Sequence, residues 1–266
     1  MVPPVITSIK KGFKRHLLLV LVTVFVLVLG ISFWAGFRPG PGLTVVRVGT
    51  LTVVDVPVGT SIYVDEAFRG TVKSGTSISA DLVPGTHSVI VDAPDKEPWN
   101  TVFTITAREE NMQSPILVSK TPERTRLTDE NAAAAKAAID ATKLPTEAEP
   151  LVIGCTAISL SDNRIVAAPA TTADCTTPPE FLCSEGTCGS TIVYTPAAPI
   201  HAIIPFPNRT DAIIVATGEW VYVIDIDPRN PQFFAPLAHG TYPLIAPQDD
   251  THIYTSDKGD YVSFTI

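Results

Sequence analysis

Asp225 and Asp227 sit two residues apart in a strand-like run, so both carboxylates fall on one face. Asp249-Asp250 and Asp257 with Asp260 occupy turn-like segments close by in the chain. Gathered carboxylates serve calcium, which takes oxygen ligands, or glycoside hydrolysis, which works with two acids. The plainer reading is that these residues end strands and solvate turns. The histidines, His16, His87, His201, His239 and His252, are scattered singly. His87, on a strand beside a Pro-Gly turn, is read as structural, with no second ligand at metal-binding spacing. No G-x-S-x-G, H-E-x-x-H, Walker or Rossmann glycine pattern is present. The sequence therefore points to no catalytic residue, no cofactor and no metal site.

Cys155, Cys175, Cys183 and Cys188 are all the cysteines of the chain. An even count outside the cytoplasm suggests disulfides. Cys183 and Cys188 bracket a tight loop in which Gly186 allows the turn, which favours a local bridge and leaves Cys155 for Cys175. Other pairings stay open in the sequence. Zinc is the rival, but paired C-x₂-C spacing is missing.

These groups must be positioned by elements whose address is set near the N-terminus. Leu17 to Phe37 is an uncharged apolar run of 21 residues, enough for a helix to cross the ~30 Å hydrocarbon core. Lys10, Lys11, Lys14 and Arg15 precede it and only Arg38 follows closely. That asymmetry predicts a basic cytoplasmic tail over 1–16, a single span over 17–37 and an extracytoplasmic remainder. A cleaved secretory signal is the alternative, but bulky residues in ISFWAG make a poor cleavage site. The 266-residue chain has 19 Lys+Arg against 27 Asp+Glu, and the region after residue 40 keeps 14 of the bases and all the acids, net −13. Such a surface repels phosphate backbones, so nucleic-acid binding is not expected.

Residues 44–106 alternate in short β-branched runs, Thr52–Val56, Ser61–Asp65, His87–Asp92 and Trp99–Ile105, punctuated by Gly and Pro. Pro57-Val-Gly59-Thr, then Ile62-Tyr-Val-Asp65 followed by Gly70, then Leu82-Val-Pro84-Gly85 before His87, Val89 and Val91, come in that order. Together with Trp99 they resemble the landmarks of a PEGA domain. Pro57 and Gly59 are kept from the name-giving turn while its Glu and Ala are replaced, and Val72 stands where the family usually has Pro. The resemblance implies a small β-sandwich module of a prokaryotic envelope, often beside a membrane anchor and without catalytic residues.

Residues 107–150 read as a linker. Within it Thr128–Lys143 predicts an Ala-rich spacer helix with Asp129 and Glu130 in its first turn and Pro145 beyond its end. Residues 151–266 return to β pattern, and from Ile200 the runs repeat like propeller blades of about 40 residues. A closed propeller of four such blades needs about 160 residues. The expectation is therefore a compact antiparallel domain, partly propeller-like or a sandwich, whose last strand leaves an edge open to a partner.

The whole predicts a mainly β, single-pass membrane protein with a non-catalytic binding or scaffolding task. Envelope glycan or a surface protein is the expected partner, with oligomerisation through the sheet edge. An exported glycan-acting hydrolase, or its accessory subunit, is the alternative.

Overall fold

The computed structural model describes residues 6–39, 45–173, 175–184, 186–229 and 231–266. Residues 1–5 of the expected tail, and Thr44 at the start of the expected β module, lie outside them. The chain begins with α1 (Ile6–Trp34), β1 (Phe37–Pro39), β2 (Val45–Arg47), β3 (Gly49–Val53), β4 (Ser61–Val64) and β5 (Ala67–Thr71). It continues with β6 (Ile78–Leu82), β7 (Gly85–Asp92), β8 (Trp99–Ile105), β9 (Glu110–Gln113), β10 (Arg124–Arg126) and α2 (Asp129–Ala141). Next come β11 (Leu151–Ile153), β12 (Thr156–Ser161), β13 (Arg164–Pro169), β14 (Cys183–Ser184), β15 (Thr187–Cys188) and β16 (Thr191–Tyr194). The last strands are β17 (Ile200–Pro205), β18 (Ala212–Thr217), β19 (Trp220–Asp225), β20 (Phe234–His239), β21 (Leu244–Pro247), β22 (His252–Asp257) and β23 (Asp260–Thr265). Two compact units result: Met1–Val53 with Ile78–His87 and Thr104–Gln113, and Val54–Ser77 with Ser88–Phe103 and Ser114–Ile266.

In the first unit, His16–Trp34 of α1 is a 19-residue apolar stretch of mean hydropathy 2.8 with none of it buried against protein. At 1.5 Å per residue it is roughly 28 Å long. The expected helix to Phe37 is shortened: Gly36 turns the chain with φ +80°, and Phe37 pairs with Arg47 in the β1–β2 ladder. The β3 strand runs antiparallel to β6 and parallel to β9. Gly49 opens it because a Cβ there would lie 2.3 Å from the carbonyl oxygen of Thr106. Leu51, Val53, Leu82 and Ile105 are buried.

The second unit holds a sheet ordered β5-β4-β7-β8. Alternation buries Ile62, Val64, Val89 and Val91. Beyond it lie three four-stranded antiparallel sheets, ordered β11-β12-β13-β16, β17-β18-β19-β20 and β21-β22-β23-β10. The first two are meanders in the manner of a propeller blade, and in the third the meander β21-β22-β23 is completed by β10, which arrives from before α2. The first two share a core of Ile158, Ile165, Val193, Ile203, Ile213, Val215, Ile224 and their neighbours. Helix α2 packs on the third through β21, β22 and β23, burying Ala135 and Ile139.

Two expectations about boundaries change. The segment read as a linker, 107–150, supplies strands to sheets on both sides of it, β9 beside β3 and β10 beside β23. The final strand therefore has no open edge: Arg124, Thr125 and Arg126 pair with Phe264, Ser263 and Val262. The chain covers that edge itself, with a strand too short and too polar to announce itself as one.

Candidate functional site

The aspartates singled out in the sequence do not assemble. Asp225 ends β19 largely buried, and its Oδ1 accepts the backbone N–H of Asp227 at 2.8 Å. Burial, followed by the nearby charges of Asp211 and Asp227, pushes its carboxyl up to about 7, against the pull of that N–H and of Arg209. Asp227 lies beyond the strand, clasped by Arg229 through Nε at 3.0 Å and Nη2 at 2.7 Å. Asp249 accepts the Thr251 N–H at 2.8 Å and faces the His252 ring nitrogen at 3.0 Å. Those donors, the Thr251 N–H first, hold its carboxyl down at about 2. Asp257 accepts the N–H groups of Thr241 and Tyr242 at 3.0 and 2.9 Å, and they keep its carboxyl low. Asp260 pairs with Arg126 at 2.6 Å. Each of these five acids thus serves a turn, a neighbouring loop or an ion pair, and Asp250 offers its backbone carbonyl to Asn208 Nδ2 at 3.1 Å. Among the described residues no group of three His, Cys, Asp or Glu is placed to hold a metal ion.

The cysteines form the bridges Cys155–Cys175 and Cys183–Cys188. The first ties the turn between β11 and β12 to the loop after β13, and the second closes the β14–β15 hairpin. His87 is buried with Nε2 2.7 Å from the Val83 carbonyl oxygen. His201 stacks on Tyr242 at 3.8 Å between ring centroids.

The landmarks of the resembling segment are turn residues. Gly59, at φ +93°, donates its N–H to Val72 O at 2.8 Å, and Thr60 Oγ1 closes on Pro57 O at 2.7 Å. Asp65 and Glu66 take φ 51° and 64°, the left-handed pair of a tight hairpin between β4 and β5. Asp65 also accepts the Ser88 N–H at 3.0 Å. Gly70 lies in β5, and Pro84 leads into Gly85, which starts β7.

The arrangement with most to offer a ligand was not among the sequence candidates. On β19, Trp220 and Tyr222 share the face of Ile224, which lies in the core between the first two blades, while Val221 and Val223 are buried on the opposite face. Phe234 on β20 and Tyr194 at the end of β16 join them. Ring centroids run 5.4 Å from Tyr194 to Phe234, 4.4 Å from Phe234 to Tyr222 and 5.9 Å from Tyr222 to Trp220. His239 meets Trp220 edge-on at 4.5 Å and lies 3.6 Å from Glu219. This strip continues the core between the first two blades out to the surface. Tyr194 and Tyr222 pack against that core, while Trp220 and Phe234 are 41% and 43% exposed. The alternation of Trp220-Val-Tyr-Val was a signal for half of the strip. Tyr194 and Phe234 come from other strands and carried none.

Comparison with known proteins finds no family model and no curated protein that matches this chain.

Proposed function

We propose that this protein is a membrane-anchored, extracytoplasmic binding or scaffolding protein without catalytic activity. The observation that carries the anchor is the junction at the end of α1. The Arg38 guanidinium lies 3.6 Å over the Phe33 ring, donates to the Phe33 carbonyl oxygen at 2.7 Å and sits 3.7 Å from Asp81 on β6. Val48 N–H reaches Gly36 O at 3.0 Å, and β1 follows at once. A helix end built into a folded sheet in this way is a poor substrate for signal cleavage, which needs an accessible extended segment. The apolar helix has no protein cover, and two disulfides suit an oxidising compartment. The basic residues before the span favour an N-in, C-out placement.

The PEGA-like identity expected for residues 44–106 belongs to this reading. Its landmarks fall on a Pro57–Thr60 turn, a left-handed Asp65–Glu66 hairpin and the Gly85 strand start. The non-catalytic side is supported by the local commitments of the aspartates described above.

Membrane fractionation of the full chain, with N-terminal sequencing and protease accessibility of the C-terminal bulk, tests the anchor. Retention in carbonate-washed membranes with residues 17–37 intact, and external digestion, are expected. A mature chain starting near residue 37, or a protected C-terminal bulk, sinks the anchor. Shortened products after incubation with envelope glycan sink the non-catalytic reading.

A further inference from the structure

We infer that the strip of Tyr194, Phe234, Tyr222 and Trp220 is a binding surface for a neutral polysaccharide chain. This rests on the reading of the protein as an extracytoplasmic binding module and names its ligand class. Isolated exposed apolar residues are ordinary, but here the exposed Trp220 and Phe234 join Tyr194 and Tyr222 in one row of touching rings. Tyr194 and Tyr222 stand in the same row of touching rings, where burial raises both phenols above the usual range, and their hydroxyls give an otherwise apolar strip two polar tips.

The chemistry of the row selects the ligand. A pyranose ring has an apolar C–H face and a rim of hydroxyls. The strip offers aromatic surface along its length, with the two phenols and the His239–Glu219 pair as hydrogen-bonding groups beside it. Successive centroids 4.4 to 5.9 Å apart make a continuous run of ring surface, with Trp220 and Phe234 its exposed members. Charge removes anionic polymers, single-stranded nucleic acid included, because the region after residue 40 carries 14 bases against 27 acids. Strand addition is disfavoured as well. The end strand beside the strip is β20, and Pro236 at its middle has no N–H to extend a ladder.

The test is titration of the full chain in detergent micelles with linear neutral oligosaccharides of increasing length, followed by calorimetry and tryptophan fluorescence. Affinity should rise from disaccharide to hexasaccharide. Trp220→Ala and Phe234→Ala should each weaken binding by about tenfold. Tyr222→Phe, which keeps the ring and loses the hydroxyl, should weaken it by about threefold. Phe68→Ala, at an exposed aromatic on β5 away from the strip, should leave affinity unchanged, and circular dichroism should show every variant folded. Absence of binding to any neutral glycan overturns the inference, as does binding that Trp220→Ala and Phe234→Ala leave intact. A strip that captures a proline-rich peptide and no glycan overturns it too. Shortened oligosaccharides with binding still dependent on the strip support the surface and overturn only the non-catalytic reading.

Discussion

Arg209 Nη2 donates to the carbonyl oxygen of Ser114 at 2.7 Å, joining a turn of the second blade to the segment that follows β9. The same guanidinium reaches Pro115 O at 3.0 Å and holds the Asp211 carboxylate through Nε at 2.7 Å and Nη2 at 2.6 Å. Its side chain is only 16% exposed. Just after it, Ile116 and Val118 enter the core. Arg209→Ala strands two carbonyls and a carboxylate that the planar fork had served, and should cost roughly 2–4 kcal/mol. Arg209→Lys should recover less than half, since one ammonium cannot span the same acceptors. Chemical denaturation of the three proteins measures both.

Asp225 makes stability depend on pH in an unusual direction for a carboxylate. Its folded value is about 7, above an unfolded value near ~4, so the folded state binds the proton more tightly. The contribution is fully present below about pH 4, declines as pH rises through 7 and is flat above it. Asp225→Asn keeps an Oδ1 acceptor for the Asp227 N–H and removes the titration. At pH 8 the variant should be more stable than the parent by on the order of 2–4 kcal/mol, and at pH 4 nearly equal to it. Urea melts between these limits that run parallel for both proteins would disprove the assignment.

How much of this could be read beforehand depends on range along the chain. Blade strands such as Ala212–Thr217, Trp220–Asp225 and Asp260–Thr265 declare themselves because short apolar runs, alternation and turn residues are local signals. The short loop between Cys183 and Cys188 favoured their bridge and left Cys155 for Cys175, while other pairings stayed open until the structure joined these two pairs. Arg124–Arg126 did not read as a strand, because all three residues are exposed and their pairing depends on residues near Val262. The aspartates misled for a related reason. Their spacing suggested a shared site, while Asp225, Asp227 and Asp249 found donors within their own turns, Asp257 found them in the loop after β20, and Asp260 on β10. The aromatic strip is assembled from three strands, so only the Trp220–Tyr222 step was visible in sequence.

Thr125 should be the sensitive position of the edge-covering strand. Leu127 N–H donates to Tyr261 O at 2.9 Å and Thr265 N–H to Glu123 O at 3.1 Å. Antiparallel alternation then makes Thr125 and Ser263, opposite each other in register, a hydrogen-bonded pair. Thr125→Pro removes the donor at the centre of β10 and uncovers β23. A loss of about 1–3 kcal/mol is expected, together with dimers or larger species in sedimentation velocity as bare edges pair. Thr125→Val, which keeps the N–H and suits a strand, should sediment as the parent does and lose little stability. A proline variant that sediments as the parent does, at parental stability, would show that β10 does not guard the edge.

The two bridges should differ in what they contribute, because they close loops of different length. Residues 155 and 175 are 20 apart in sequence, and residues 183 and 188 are 5 apart. Loop-closure entropy then assigns about 3 kcal/mol to the longer loop and about 2 kcal/mol to the shorter. The longer bridge also restrains the stretch between β13 and the short helical turn at Glu180–Leu182, whose Leu182 belongs to the core between the first two blades. Replacing Cys155 and Cys175 together by Ala should therefore lower the unfolding midpoint more than replacing Cys183 and Cys188, and should expose Leu182 to solvent. Hydrogen exchange across residues 170–182 gives the local readout. Equal midpoints with unchanged protection there would mean that the blade core holds this loop without help from the bridge.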